Sequence, residues 1–208
     1  MNFPDFKAHI SNIKTTKLGG LDAQFKLAPE LRLRYDEDSI KAKEPKKAAV
    51  LALFYPDEQN RTRILLTKRA SYKGTHSAQI CFPGGKTALY DRNLEHTAKR
   101  ETFEEVGITF DSIQTIRELT TVFIPPSNFF ATPFIGYINQ RPVFKLNYEV
   151  DATIEVLLED LLNDMNISTV EMSTSYMDKI RVPCFKLDNY IIWGATAMIL
   201  SEIKELFY

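Results

Sequence analysis

FPGGKTALYDRNLEHTAKRETFEEVGI, residues Phe82–Ile108, is the stretch that decides the fold of this chain. A glycine pair follows a short apolar run, a loop comes next, and the segment ends with Glu101, Glu104 and Glu105 ahead of Gly107. Each residue of an α-helix advances by about 100°, so the glutamates fall within an arc of roughly 100°. Carboxylates at this spacing repel each other. A hard divalent cation bound through oxygen atoms removes the conflict, and Mg²⁺ is the usual choice beside phosphates. The stretch therefore predicts a metal-dependent site for a phosphorylated substrate.

A solvated helix face is the alternative explanation, and it is the commoner reason for a stripe of glutamates. Two further features favour a site. Gly84 and Gly85 follow a predicted strand, where glycine lets the backbone approach a ligand or metal closely. Arg100 lies four residues before Glu104 and can hold that carboxylate in place. A solvated face needs neither feature.

The composition is that of an ordinary globular protein, with 208 residues, 44% of them hydrophobic and 25% charged. The formal net charge of -1 gives no global attraction to nucleic acid, so we expect no nucleic-acid partner. No apolar run reaches the length of a membrane span, and we expect no membrane partner.

Pro4 and Asp5 interrupt the region where a signal peptide needs an apolar core. Cys81 and Cys184 lack metal-ligand spacing and are expected to be free thiols in a reducing compartment. We therefore expect a cytoplasmic protein, and the sequence leaves its oligomeric state open.

Hydrophobic periodicity predicts strands interleaved with a few helices. Residues 1–47 are expected to form an N-terminal extension. It begins with an amphipathic helix at residues 4–16, and it is expected to be irregular after residue 20. Residues 48–208 are expected to form the functional domain. The helix that carries the glutamates should begin at Asn93 and end at Gly107, with Thr102, Phe103 and Val106 buried. Strands are predicted at residues 48–55, 62–67, 78–82, 113–124, 132–138, 150–158, 167–174, 181–187 and 191–193, and helices at 158–164 and 194–207. This pattern is typical of a mixed-sheet α/β or α+β sandwich.

Gly85 and the run Arg100–Ile108 (RETFEEVGI) resemble the Nudix box, G-x5-E-x7-R-E-U-x-E-E-x-G-U, in which U is apolar. The sequence departs from the box in three ways. The gap between Gly85 and Arg100 is one residue longer, the first box glutamate has no direct counterpart, and Thr102 occupies a U position. Asp91 is the acid nearest to the missing glutamate. The resemblance implies an α/β fold of the Nudix type, an α/β/α sandwich with a mixed sheet.

The longer gap is similar to that of one Nudix branch, the coenzyme A pyrophosphatases, which also carry an upstream signature close to L-L-T-x-R…H-x-G-Q-x-x-F-P-G-G. This chain has Leu65–Arg69 (LLTKR) and His76–Gly85 (HSAQICFPGG) in the same order, with Ala78 in place of the usual glycine. The resemblance extends from about Ala48 to the C-terminus. It implies hydrolysis of coenzyme A or its derivatives at the pyrophosphate bond to 3′,5′-ADP and 4′-phosphopantetheine.

Two other functions remain open. One is hydrolysis of another nucleoside diphosphate derivative, such as ADP-ribose or a dinucleotide. The other is a non-catalytic Nudix module that binds a nucleotide and regulates a partner. The intact Arg100, Glu101, Glu104 and Glu105 argue against the second, because a binding module does not need a full set of metal ligands.

The resemblance also implies roles for individual residues. Ligands for Mg²⁺ or Mn²⁺ are expected from the carbonyl of Gly84 and from Glu101, Glu104 and Glu105. Arg100 is expected to orient a catalytic glutamate, and either Glu104 or Glu105 to act as the general base. A later glutamate is expected to join them, with Glu149 the first candidate and Glu155 and Glu159 weaker ones. Substrate contacts are expected from Arg69, Lys73, His76 and Gln79. For Arg69 and Lys73 these include the extra phosphate of coenzyme A. An ordinary surface lysine and a structural histidine are the alternatives for Lys73 and His76.

Overall fold

A mixed β-sheet forms the centre of the protein, which the computed structural model describes over residues 1–70, 79–173 and 179–208. Within these ranges an 8-stranded sheet and a 3-stranded antiparallel sheet are formed. The larger sheet contains β1 (Lys46–Pro56), β2 (Thr62–Arg69), β3 (Ile80–Cys81), β4 (Gly84–Lys86), β5 (Gln114–Glu118), β6 (Val122–Ile124), β7 (Phe129–Tyr137) and β8 (Val150–Leu157). The smaller sheet contains β9 (Ile167–Met172), β10 (Ile180–Leu187) and β11 (Tyr190–Trp193).

The central strand, β1, sets the register of the larger sheet. It runs parallel to β7, with Val50 opposite Pro133. It is antiparallel to β2 near its C-terminal end, where Phe54 pairs with Ile64, and antiparallel to β4, where Val50 pairs with Gly84. The pairing with β4 brings the glycine pair into the middle of the sheet.

Helices cover both faces of this sheet. They are α1 (Phe3–Thr15), α2 (Gly20–Phe25), α3 (Glu30–Leu33), α4 (Glu37–Lys41), α5 (Leu94–Val106), α6 (Leu158–Leu162) and α7 (Gly194–Glu205). Successive side chains of a strand point to opposite faces. Accordingly, Leu51 and Leu53 of β1 share a buried cluster with Val106 of α5, whereas Ala52 and Phe54 share the opposite cluster with α1 and α7. The predicted mixed-sheet α/β/α sandwich is confirmed. Among the described residues, no helix has both the length and the apolar character needed to cross a membrane.

Both ends of α5 follow the sequence prediction. The Asn93 side chain accepts a hydrogen bond from the backbone N–H of His96 at 2.7 Å, and Gly107 ends the helix in the left-handed conformation with φ 78. Thr102 and Val106 are buried as predicted, but the predicted burial of Phe103 is wrong because its exposed fraction is 47%. The buried stripe has a spacing of four residues along α5, and Phe103 lies about 100° further round the helix, on its solvent side.

The N-terminal residues pack into the same core as the rest of the chain. The ring of Phe6 stacks on Phe54 of β1 with centroids 4.7 Å apart. The buried carboxylate of Glu202 in α7 accepts hydrogen bonds from the Gly20 N–H at 3.2 Å and from Gln24 Nε2 at 3.0 Å. The predicted irregular structure after residue 20 is wrong, since α2, α3 and α4 lie there. The division into an extension of residues 1–47 and a domain of residues 48–208 stays a prediction.

The predicted strand at residues 113–124 is two strands, β5 and β6, which both pair with β7. The break lies opposite Pro133, whose carbonyl accepts a hydrogen bond from the N–H of Leu119 at 2.8 Å. Proline has no N–H to return, so the ladder is interrupted there. The strands predicted at residues 48–55 and 62–67 pair as the antiparallel hairpin of β1 and β2, and those predicted at residues 167–174 and 181–187 as that of β9 and β10.

Candidate active site

Arg100 is the centre of the charged network on α5. Its Nη1 donates to Glu101 Oε1 at 2.8 Å and to Glu104 Oε2 at 3.0 Å. Its Nε and Nη2 donate to the two oxygens of Asp91 at 2.9 and 3.0 Å, and Nη2 also donates to the carbonyl of Lys86 at 2.9 Å. A guanidinium held from three directions is fixed in position. The carboxylates, Asp91 above all, raise the pKa of Arg100.

Asp91 supports Arg100 from the loop before α5. Its side chain is only 2% exposed. Besides Arg100, it accepts hydrogen bonds from the Ala88 N–H and from Thr97 Oγ1, both at 2.8 Å, and its Oδ1 lies 2.9 Å from Nδ1 of His96. The bond to Arg100 holds the pKa of Asp91 well below its usual range. Both oxygens of Asp91 are therefore engaged in positioning the arginine.

Gly84 and Gly85 allow the glutamates to lie against the backbone. Gly84 has φ +151, and a Cβ there would lie 2.4 Å from the carbonyl oxygen of Ala49. A Cβ on Gly85 would lie 2.5 Å from the carboxyl carbon of Glu101. The N–H of Gly84 donates to Glu105 Oε2 at 3.1 Å. Replacing either glycine would push the backbone away from the carboxylates.

Burial changes the titration of the two inner glutamates. The Glu105 side chain is 4% exposed, and desolvation raises its pKa to about 7. The N–H of Gly84 and the charge of Arg69 oppose this increase, whereas the negative charges of Glu101 and Glu149 add to it. Burial also raises the pKa of Glu101. The negative charge on these carboxylates is therefore only partly compensated by the protein.

The donor set fits a hard divalent cation. Carboxylate and backbone carbonyl oxygens are the ligands that Mg²⁺ and similar ions prefer, and Glu101 and Glu105 place their carboxyl groups against the glycine pair. As the side chains lie, no three His, Cys, Asp or Glu residues of the described ranges are grouped to hold one metal ion. Arg100 binds both Glu101 and Glu104, so a cation would compete with the guanidinium for these carboxylates.

Arg69, at the end of β2, lies between two carboxylates. Its Nη2 donates to Glu149 Oε2 at 3.3 Å, and its Nη1 is 3.8 Å from Glu105 Oε1. Thus the structure brings Glu149, predicted from the later loop, to the glutamates of α5. The backbone N–H of Arg69 donates to the carbonyl of Gln79 at 3.0 Å. The charge of Arg69 therefore faces Glu105 and Glu149. Its contact with the additional phosphate of the substrate, which the sequence resemblance implies, stays a prediction.

The other predicted residues have different surroundings. Lys73 and His76 lie outside the described residues. Glu155 accepts a hydrogen bond from Tyr55 Oη at 2.9 Å and pairs with Arg141 at 3.1 Å. Glu159 pairs with the N-terminal amine at 3.2 Å. Neither Glu155 nor Glu159 contacts the glutamates of α5 in the described part of the chain.

A cavity of about 600 Å³ opens beside this cluster, within the size range of small-molecule sites. Its lining includes Arg69, Gln79, Gly84, Glu101, Glu105 and Glu149. It also includes the aromatic side chains of Phe82, Phe123, Phe129 and Trp193, and Arg32 of α3. Sequence reasoning missed the contribution of α3. A single arginine in a segment of mixed charge carries no signal that would distinguish it from a surface residue.

The chain is similar to known proteins of one family. A family model described as the NUDIX domain matches residues 45–163. The chain is 32% identical over 171 residues to Nudix hydrolase 22, chloroplastic, of Arabidopsis thaliana, covering 79% of this chain and 56% of that protein. It is 32% identical over 165 residues to Nudix hydrolase 3 of Caenorhabditis elegans, covering 70% of this chain and 67% of that protein. The chain therefore spans little more than half of the plant relative's length.

A solved structure supports the fold. The NUDIX domain of Shewanella oneidensis NrtR, complexed with ADP ribose, superposes with a TM-score of 0.51 at 14% sequence identity. The match covers 85% of this chain and 96% of that chain. At this identity the comparison concerns the α/β/α architecture alone.

Proposed function

The chain belongs to the Nudix family, and from that premise we propose that it is a divalent-metal-dependent hydrolase of the pyrophosphate bond in coenzyme A or its derivatives. One observation carries the proposal. The carboxylates of Glu101 and Glu105 lie against the glycine pair, and both line a cavity of about 600 Å³ together with Glu149. Such a group of oxygens suits a cation beside a pyrophosphate, and the cavity leaves room for the rest of the substrate.

Glu101, Glu104, Glu105 and the carbonyl of Gly84 would hold the metal ion, Mg²⁺ or Mn²⁺. When bound, the ion supplies neutralisation of the pyrophosphate oxygens and activation of the attacking water. Arg100 binds Glu104 and also Glu101, whose carboxyl group lies against Gly85, and Asp91 keeps Arg100 in place.

Proton transfer is assigned to a carboxylate at the cavity. Glu105 and Glu149 both line the cavity and both face Arg69, whereas Glu104 lies outside the cavity lining. A carboxylate in this position can take the proton of the attacking water. We therefore assign the general base to Glu105 or Glu149 in preference to Glu104.

The choice of coenzyme A rests on sequence. Leu65–Arg69 lies in β2, which pairs with β3, and the residues LLTKR and FPGG resemble those of the coenzyme A pyrophosphatases. The proposal includes a cytoplasmic location, which is supported by the free thiols of Cys81 and Cys184.

A turnover assay tests the proposal. The purified protein is incubated with Mg²⁺ or Mn²⁺ and with coenzyme A, acetyl-coenzyme A, ADP-ribose, NADH or nucleoside triphosphates, and the products are separated by chromatography. We expect metal-dependent release of 3′,5′-ADP from coenzyme A that stops when EDTA is added. Faster turnover of ADP-ribose or NADH would overturn the substrate, and no turnover of any compound would overturn the enzyme.

Matched variants separate the roles of the glutamates. Loss of the general base lowers kcat at saturating metal, whereas loss of a ligand raises the metal concentration needed for half-maximal activity. We expect Glu101→Gln to show the second effect, and either Glu105→Gln or Glu149→Gln to show the first. Glu118→Gln is the control, because Glu118 is exposed on β5 and does not line the cavity. Unchanged kinetics in all three site variants would mean that the site lies elsewhere.

A further inference from the structure

Arg32 is a buried arginine without a counter-ion in the described part of the chain. Only 6% of the residue is exposed. Its Nη1 donates to the carbonyl of Tyr35 at 3.1 Å, and its buried Nε has no hydrogen-bond acceptor within the described residues. No Asp or Glu oxygen of those residues lies within ion-pair distance of its guanidinium. Most of the donors of this group are therefore unused.

Two aromatic rings hold the guanidinium in place. Its central carbon lies 5.0 Å from the ring centroid of Phe25 and 5.8 Å from that of Phe123. Cation–π contacts of this kind stabilise an arginine without occupying its N–H donors. An unpaired buried charge is costly, and burial lowers the pKa of Arg32. An anion that entered beside the group would offset this cost.

Arg32, whose Nε is unpaired within the described residues, belongs to the wall of the candidate active site. Arg32 lines the same cavity as Glu101 and Glu105 but makes no ion pair with them. Lys86 also lines the cavity, with its Nζ 5.6 Å from the ring centroid of Phe129. The cavity lining thus combines Glu101 and Glu105 of α5 with basic and aromatic residues, among them Arg32 of α3 and Phe123.

We propose that Arg32 binds a second phosphate of the substrate, a phosphomonoester separate from the pyrophosphate that is cleaved. This inference rests on the proposed function and names the part of the substrate that α3 recognises. A planar guanidinium fits phosphate oxygens in a bidentate arrangement, and the aromatic residues beside it suit the apolar or ring portion that carries the phosphate. Coenzyme A has such a group, its 3′-phosphate, whereas ADP-ribose and NADH do not. Arg32 lies outside residues 45–163, so this determinant comes from outside the matched family domain.

A pair of substrates that differ only in this phosphate provides the test. The kcat/KM values for coenzyme A and 3′-dephospho-coenzyme A are measured for the wild type and for Arg32→Met. In the variant we expect kcat/KM for coenzyme A to fall by about 10- to 100-fold, the range for loss of charge-assisted hydrogen bonds. For the dephospho substrate we expect a change of less than about threefold. Arg32→Lys should recover part of the loss, because it keeps the charge but not the planar fork.

Arg34→Met is the matched control. Arg34 is two residues further along, is exposed, and pairs with Glu30 at 2.8 Å. It carries the same charge outside the cavity, so its loss should change neither substrate. An equal fall on both substrates in Arg32→Met would show a purely structural role and would overturn the inference, as would no fall on either.

Calorimetry keeps the test independent of hydrolysis. Adenosine 3′,5′-bisphosphate and AMP are titrated into the metal-free protein. We expect the wild type to bind the bisphosphate at least about tenfold more tightly, and Arg32→Met to lose this preference while Arg34→Met keeps it. Equal binding of the two nucleotides by the wild type would overturn the inference even if coenzyme A is hydrolysed. A preserved preference with no turnover of coenzyme A would overturn only the proposed function.

Discussion

Replacing Glu105 with glutamine should stabilise the metal-free protein above neutral pH. The pKa of Glu105 is raised from an ordinary value of 4.5 to about 7, because its carboxyl group is buried. At about 1.4 kcal/mol for each pKa unit, this difference corresponds to about 3 kcal/mol. A glutamine of the same shape can still accept the hydrogen bond from the N–H of Gly84, but it never carries the charge.

The sign of the pH dependence follows from proton linkage. The folded protein holds the proton on Glu105 more tightly than the unfolded chain does. The contribution of the neutral carboxyl group to stability is therefore complete below about pH 4.5 and is lost as the pH rises through about 7. Hence Glu105→Gln should exceed the wild type by about 3 kcal/mol at pH 8 and by less than about 1 kcal/mol at pH 5.

Urea unfolding in the presence of EDTA at pH 5, 6, 7 and 8 measures these differences. Two control variants are Glu118→Gln, which removes an exposed charge, and Glu104→Gln, which removes an exposed partner of Arg100. Neither should gain stability at pH 8. The reasoning fails if Glu105→Gln is no more stable than the wild type at pH 8, or if its gain is the same at pH 5.

Further variants test the surroundings of the site. Asp91→Asn replaces the charged partner of Arg100 with a neutral one. We expect the free energy of unfolding, measured with urea, to fall by about 2–4 kcal/mol and kcat to fall as well. Wild-type values of both quantities would contradict the positioning role of Asp91. Gly85→Ala places a Cβ 2.5 Å from the carboxyl carbon of Glu101. We expect turnover to fall at least about tenfold and the Mg²⁺ concentration needed for half-maximal activity to rise. Wild-type kinetics would mean that activity does not depend on this close approach. Glu202→Ala removes the buried carboxylate that accepts hydrogen bonds from the N-terminal segment. We expect the free energy of unfolding to fall by about 2–3 kcal/mol and limited proteolysis to cut the chain near residues 17–30. Unchanged proteolysis would refute the anchoring role of Glu202.

The local features of the fold were accessible from the sequence. Asn93 and Gly107 bracket α5 because capping depends on neighbouring residues alone. The hairpins follow from alternating apolar residues and the turns between them. The predicted burial of Phe103 is wrong because the pattern of residues along a helix does not determine how wide its buried stripe is.

The assembly of the site was only partly accessible. Spacing along one helix brings Arg100 to Glu104, and the order of the motifs indicated the glycine pair. No spacing rule indicates that Arg32 reaches the cavity, because that contact depends on how α3 packs against β6. Tertiary packing of this kind leaves no periodic signal in the sequence.

The contacts between Glu202 and the N-terminal segment join residues that the ribosome synthesises at very different times. Gln24 and Glu202 are 178 residues apart in the chain. At a synthesis rate of about 5–20 residues per second, roughly 10–35 s pass between the synthesis of Gln24 and that of Glu202. During that time the apolar side chains of Phe3, Phe6 and Ile13 have no finished core to enter. These apolar side chains therefore stay exposed until the helix that carries Glu202 has been made, and a chaperone that shields them during translation would increase the yield of folded protein.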